Sequence, residues 1–216
     1  MDRFRTILVL ALAGSGFLSV SAEAVDLRIT ERSRIELNGT TNIGRWACKG
    51  SSIDGNLKAV LGWSEINRII EAIVADDVDS LSWTAGDFAH PALSFTIPVR
   101  SLECGNSAME SDLREALRYP KYEQIRFEYT SVSGMRVTSS TPTFELQVEG
   151  FLTLGGERRP IVVDTSVTRT GPRTFEAKGR VRLRMTTFEV TPPVALFGLI
   201  RADDQLQVNF VLELRE

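Results

Sequence analysis

The feature that most constrains the fold is a regular alternation of residue types through the C-terminal half of the chain. Mainly apolar residues or glycine fill every second position, with mainly polar or charged residues between them, in runs at 144–154, 161–167, 175–185 and 206–214. A period of two is typical of β-strands that bury one face and expose the other. Such runs in succession predict an antiparallel sandwich or barrel.

The same pattern extends into the rest of the chain. Shorter alternating runs occur at 35–37, 93–99 and 125–129, and Gly155-Gly156 separates two of the longer runs as a hairpin turn does. Closure into a barrel would remove the exposed edges of such a sheet. We therefore predict an all-β barrel with one or two short helices, in which residues 25–216 form a single domain.

Two segments depart from the strand period. In the first, isoleucine and valine recur at helical spacing behind Ser64, a good N-cap, at positions 66, 69, 70, 73 and 74. This spacing predicts an amphipathic helix at roughly 65–75. The alternative is a strand rich in β-branched residues.

The second helical segment lies between the two halves. Ser107 and Glu110 form a capping-box pattern, an apolar face follows, and Pro120 ends the segment. We predict a helix from Ser107 to Tyr119. Each helix is expected to pack against the barrel or to close one of its mouths.

The N-terminal segment has the organisation of a secretory signal peptide. Arg3 and Arg5 precede an uncharged apolar run from Thr6 to Val20, and Ala22-Glu23-Ala24 matches a small-x-small cleavage site. The run is shorter than the about 20 residues that span a bilayer. We predict that residues 1–24 are a signal peptide cleaved after Ala24, and that the protein is periplasmic or secreted and does not span the membrane. A retained anchor is the alternative.

The net charge and the two cysteines limit the functions that the chain can have. The formal net charge of −3 argues against nucleic-acid binding, which needs a basic surface. Cys48 and Cys104 are the only cysteines. An even count in a chain addressed to an oxidising compartment predicts a disulfide between them. Two buried free thiols are the alternative.

Residues suited to catalysis or metal binding are sparse. His90 is the only histidine, so the chain has no histidine-rich metal site and no HExxH motif. The aspartates do not follow EF-hand spacing, at positions 76, 77, 79, 203 and 204. We expect no metal, no cofactor and no catalytic group. An enzyme would require carboxylates of perturbed pKa at a barrel mouth.

The inward apolar faces of the strands are the remaining candidate site. A barrel of about eight strands is just wide enough either to fill with its own side chains or to hold one small ligand. Periodicity alone leaves both possibilities open.

Several segments resemble the YceI-like family. They are Gly39 to Asn42 with Trp46, Ile97 to Leu102, Asp112 to Pro120, and Gly150 to Gly156. The most specific segment runs from Thr187-Phe188-Glu189-Val190 through Pro192-Pro193 and Phe197-Gly198-Leu199-Ile200 to Asp203-Asp204. Glu189 stands where the family pattern has glycine.

The resemblance implies a lipocalin-like antiparallel barrel of about eight strands that holds a polyisoprenoid or similar amphiphile. The protein would carry or sequester an apolar lipid of polyprenyl or quinone type, and transient membrane contact is compatible with this role. The predicted ligand-binding residues are Phe95, Ile97, Phe127, Leu146, Val148, Leu152, Phe175, Val181, Leu183, Phe197, Val208 and Phe210. The alternatives are a structural or interaction barrel with a filled core and, less favoured, an enzyme acting on an amphiphile.

Overall fold

A computed structural model describes residues 25–59, 62–75, 92–138 and 143–216. The predicted signal peptide and His90 lie outside these residues. The described strands are β1 Asp26–Ile29, β2 Arg34–Thr41, β3 Gly44–Gly50, β4 Asp54–Lys58, β5 Ala92–Pro98, β6 Gln124–Thr138, β7 Thr143–Leu154, β8 Glu157–Gly171, β9 Thr174–Arg184, β10 Val194–Ala195 and β11 Ile200–Arg215. The described helices are α1 Trp63–Val74 and α2 Ser107–Ala116.

The strands close into an antiparallel barrel. Strand order runs β1-β4-β5-β6-β7-β8-β9-β11, and β11 pairs back onto β1. Strand β2 also pairs with β11, and β3 pairs with β2. Strands β1 and β2 therefore act as one interrupted barrel strand, and β3 and β4 act as another. The predicted barrel of about eight strands with two short helices is confirmed.

Helix α1 covers one end of the barrel, which we call the α1 end. Its buried Ile70 belongs to an apolar cluster with Val25, Leu212 and Leu214. The Trp63 ring stacks on Phe175 with centroids 6.1 Å apart. The predicted helix is confirmed, and the alternative of a strand is wrong.

The start of α1 differs from the prediction. The carbonyl of Gly62 accepts hydrogen bonds from the backbone N–H groups of Glu65 and Ile66. Ser64 therefore lies inside the first turn and is not the N-cap, because the helix begins at Trp63.

Helix α2 covers the opposite end, the α2 end, together with the β2–β3 turn, the β7–β8 hairpin and residues 185–201. Its N-cap is Asn106, whose Oδ1 accepts a hydrogen bond from the Met109 backbone N–H at 2.8 Å. The observed cap therefore lies one residue before the predicted cap, Ser107. Glu110 Oε1 accepts from the Cys104 N–H at 3.1 Å. The helix ends at Ala116, earlier than predicted, and Leu117 packs into the barrel core.

The disulfide joins β3 to the segment that follows β5, at the α2 end of the barrel. Among the described residues β3 forms a continuous ladder with β2 alone, and its other edge meets a single bridge from Lys49 to Glu103. These two residues exchange backbone hydrogen bonds of 2.7 and 2.8 Å. Cys48 and Cys104, next to them, form the predicted disulfide. The covalent bond thus reinforces the part of the barrel wall with few ladder hydrogen bonds.

Candidate functional site: the barrel interior

The interior contains eleven of the twelve predicted ligand-binding residues. Five are buried: Ile97, Phe127, Leu152, Phe175 and Val208. Six are half-buried on inward-facing positions of their strands: Phe95, Leu146, Val148, Val181, Leu183 and Phe210. Their neighbours Glu145 and Gln147 face solvent. The structure therefore brings these residues onto one face, and their contact with a ligand stays a prediction.

Phe197 lies outside the barrel interior, and its contact with a ligand stays a prediction. Its side chain is fully exposed at the α2 end, with a relative exposure of 108%. Leu196, Phe197 and Gly198 all have positive φ, at 48°, 58° and 88°. These left-handed residues turn the chain away from the barrel, because αL geometry reverses its direction within a single turn.

Two apolar clusters line most of the interior, with Thr165 as a buried polar side chain on β8. One cluster at the α2 end includes Ile97, Leu152 and Val208, and a second at the α1 end includes Phe175. Phe95 packs against both clusters. An apolar chain lying along the barrel axis would therefore meet apolar side chains over most of its length.

Several inward side chains are not fully covered by other protein atoms. Leu146 and Val148 lie in the middle of β7, and Phe210 lies well inside β11, yet each is only half-buried. Their backbones pair with the strands on both sides, although the β6–β7 pairing shifts register beside Val148. Filled interiors pack at the density of organic crystals and leave few voids. Partial exposure on the inward face therefore indicates open space inside the barrel.

Three aromatic rings lie flat against the barrel wall, each over a glycine. A Cβ placed on Gly39 would lie 2.3 Å from the Trp46 ring, one on Gly150 would lie 2.5 Å from Phe127, and one on Gly179 would lie 2.1 Å from Phe210. Glycine in a strand commonly marks such a close approach. Because the rings lie along the wall, they leave the axis of the barrel less occupied.

The pairing of Gly179 with Phe210 predicts a specific effect. Gly179→Ala should force the Phe210 ring off the wall and toward the axis, which should destabilise the protein by about 1–3 kcal/mol. Gly171→Ala is the matched control, because a Cβ there would make only ordinary contacts at 3.5 Å with the Thr174 side chain. Urea unfolding of both variants measures the difference. Equal stabilities would contradict the close approach.

Two interior aromatic residues that carry a polar group, Trp46 and Tyr129, are not among the predicted ligand-binding residues. Trp46 Nε1 is buried and has no hydrogen-bond partner among the described residues. Tyr129 is half-buried, and its backbone pairs with Gly150. The pKa of its hydroxyl is raised, mainly because the group is buried and secondly because the Glu149 carboxylate is nearby. Tyr129 has the same strand parity as Phe127, so the alternation could have identified it. The run around Trp46 alternates too weakly to do so.

A general acid needs a carboxyl group whose pKa is raised. Glu149 and Asp204 instead have carboxyl pKa values that are lowered. Hydrogen bonds from the hydroxyls of Ser131 and Ser133 lower the pKa of Glu149, and hydrogen bonds from Thr186 lower that of Asp204. In the described part of the chain no group of His, Cys, Asp and Glu side chains is arranged to hold a metal ion. None of the helices described there has the length and apolarity required to cross a membrane.

The comparison with protein families decides the assignment of the chain. The YceI-like domain matches residues 30–214. The chain belongs to the YceI-like family. This confirms the resemblance found in the sequence, and the match covers all the barrel strands except β1 and the last residue of β11.

Two solved structures of similar fold match over nearly their whole length. BcnA of Burkholderia cenocepacia is 14% identical, with a TM-score of 0.59, covering 86% of this chain and 98% of that one. A polyisoprenoid-binding domain from Saccharophagus degradans, implicated in plant cell wall breakdown, is 11% identical, with a TM-score of 0.60, covering 89% and 99%. No curated protein matches the chain. At these identities the likeness establishes the shared fold.

Proposed function

We propose that this protein is an exported lipid-binding protein that holds an isoprenoid-like amphiphile, of polyprenyl or quinone type, inside its barrel for carriage or sequestration. The observation that carries the proposal is the set of inward apolar side chains that remain half-buried within a closed barrel. Phe95, Leu146, Val148 and Phe210 present apolar surface that no protein atoms cover completely. An apolar ligand would remove this surface from water.

The energetics of such a ligand fit an apolar interior. Each methylene group that leaves water contributes about 0.8 kcal/mol, so a few isoprene units could reach micromolar affinity after the cost of association. No charged contact is needed for this affinity. The buried Trp46 Nε1, which has no hydrogen-bond partner among the described residues, is a donor suited to the oxygen-bearing end of an amphiphile.

Two further observations support the proposal. A solved structure of similar fold, from Saccharophagus degradans, is described as a polyisoprenoid-binding domain. The signal-peptide pattern in residues 1–24 and the disulfide between Cys48 and Cys104 both suit an oxidising compartment outside the cytoplasm. A periplasmic or secreted location follows from them as part of the proposal.

Substitution at Val148 tests whether the open space is the binding site. Val148→Trp should occupy ligand volume, so binding of an added quinone should weaken by at least about tenfold while the fold remains stable. A filled core would instead be overpacked and lose about 1–3 kcal/mol. The matched control is Val162→Trp, because Val162 is 53% exposed on the outer face of β8. Quinone titration and urea unfolding of both variants distinguish the two outcomes.

A loss of stability in Val148→Trp with no quinone binding by the unmodified protein would contradict the proposal. That result would favour the structural barrel with a filled core.

A further inference from the structure

An exposed apolar patch lies at the rim of the α2 end, outside the barrel interior. It consists of two short segments, and its members are Ile43, Val194, Leu196, Phe197 and Leu199. Their relative exposures are between 60% and 108%. We call this set the rim patch. Exposed apolar side chains that cluster, instead of lying singly, mark interaction surfaces.

The two segments of the rim patch are fixed to each other. Asn42 Nδ2 donates to the Leu199 carbonyl at 2.8 Å, and Asn42 Oδ1 accepts from the Arg201 backbone N–H at 2.8 Å. The Asn42 backbone N–H also donates to the Arg201 carbonyl at 3.1 Å. Strand β10 pairs with β11 behind the loop. The apolar side chains are therefore held in the exposed position by the fold.

The backbone at the tip of the rim patch adopts an uncommon conformation. Leu196 and Phe197 have φ of 48° and 58°, although neither is glycine. Left-handed conformation costs a non-glycine residue roughly 1–2 kcal/mol. Such strained residues cluster at functional positions, and here the strain accompanies the display of two large apolar side chains.

The charged residues around the rim patch favour contact with a negatively charged partner surface. No carboxylate occurs from Asn38 to Arg45 or from Val190 to Arg201, so the first charged residue after each apolar segment is an arginine. Arg45 and Arg201 are exposed. The acid nearest in sequence, Asp203, accepts a hydrogen bond from the Thr40 hydroxyl. Arginine side chains beside apolar residues can place their guanidinium groups at lipid headgroups.

The size of the rim patch argues against a protein partner. A stable protein interface uses about 20–30 residues on each side, whereas the rim patch has five apolar side chains on two tight loops. A protruding apolar tip with basic neighbours suits a bilayer, whose surface deforms around it. We infer that the rim patch docks the protein on a membrane surface, inserting Phe197 and the leucines among the acyl chains while the arginines contact anionic headgroups. This docking goes beyond the proposed lipid binding and does not depend on it.

Vesicle co-sedimentation of the purified protein tests the inference. We expect the protein to partition onto phosphatidylcholine vesicles and more strongly onto vesicles that also contain phosphatidylglycerol. Leu196→Ser with Leu199→Ser should lower the partition coefficient by about 100-fold, since each leucine contributes at least about tenfold. Arg45→Gln should lower partitioning about fivefold on the anionic vesicles only.

A matched control lies at the opposite end of the barrel. Val74 in α1 is also 60% exposed, and Val74→Ser should leave vesicle binding unchanged. The inference is wrong if the unmodified protein does not partition, if the double leucine variant partitions as well as the unmodified protein, or if Val74→Ser has the same effect. It is also wrong if sedimentation without lipid shows a dimer that the double variant abolishes, because the rim patch would then bind a second copy.

Lipid content separates this inference from the proposed function. Mass spectrometry of the double leucine variant should show the same bound lipid as the unmodified protein, because neither leucine faces the interior. Vesicle binding by a protein without internal lipid would uphold the docking surface and contradict only the lipid-binding role.

Discussion

Replacing both Cys48 and Cys104 by alanine is expected to lower the free energy of unfolding by about 4 kcal/mol. The two cysteines are 56 residues apart in the sequence, and the entropy of closing a loop of this length accounts for about that amount. The bond also connects β3 with the Glu103 segment, where only one bridge joins the two sides of the barrel. Its loss should therefore weaken the α2 end first.

Urea unfolding monitored by circular dichroism measures this effect. The control is the unmodified protein in reductant, which should approach the stability of the double variant because both lack the bond. A loss below about 1 kcal/mol, too small for the removal of such a loop, would show that the remaining contacts hold the wall closed by themselves.

Phe188→Ala is expected to cost about 3–5 kcal/mol, as other truncations of large core side chains do. Phe188 is only 1% exposed and packs in the cluster with Met185, Val190 and Leu117 at the α2 end. The new void would be surrounded by well-packed side chains and could not collapse easily. The melting temperature should fall accordingly.

Phe197→Ala is the matched control, since the same ring is removed nine residues further along the chain from a fully exposed position. Exposed substitutions of this kind change stability by less than about 0.5 kcal/mol. Similar losses for the two variants would contradict the placement of one ring inside and the other outside. The comparison therefore tests the fold at the most specific family segment.

The barrel was predictable from the sequence because strand alternation reports directly which side of the wall a residue faces. Leu146, Val148 and Val208 could be assigned to the interior in this way. The interruptions between β1 and β2 and between β3 and β4 were not predictable, because alternation does not record where a strand bends out of the ladder. Ten of the eleven strand segments in the described residues therefore form a barrel of eight strands, and β10 pairs only with β11 outside this path.

The exposure of Phe197 was not predictable from the sequence, because it depends on backbone conformation. The residue has the chemistry of a core side chain, whereas φ of 58° turns it into solvent. Glu189 shows the converse. It replaces the glycine of the family pattern, yet its φ is 53°, so the left-handed turn that glycine favours is kept.

The orientation of the aromatic rings inside the barrel was not predictable from the sequence. Alternation places Phe210 and Phe127 inside the barrel but does not show whether their rings project toward the axis or lie on the wall. The close approach to Gly179 and Gly150 decides this, and it requires the register between neighbouring strands. The choice between a filled and a hollow barrel therefore depends on the three-dimensional structure.

Mass spectrometry of the organic extract from natively purified protein tests the central claim most directly. The account predicts about one isoprenoid-like molecule, of polyprenyl or quinone type, for each chain, because a hollow barrel of about eight strands holds one small ligand. The extract of Val148→Trp should contain markedly less of the same molecule. An extract without any apolar ligand, from a protein that also fails to take up added quinone or isoprenoid, would contradict the account.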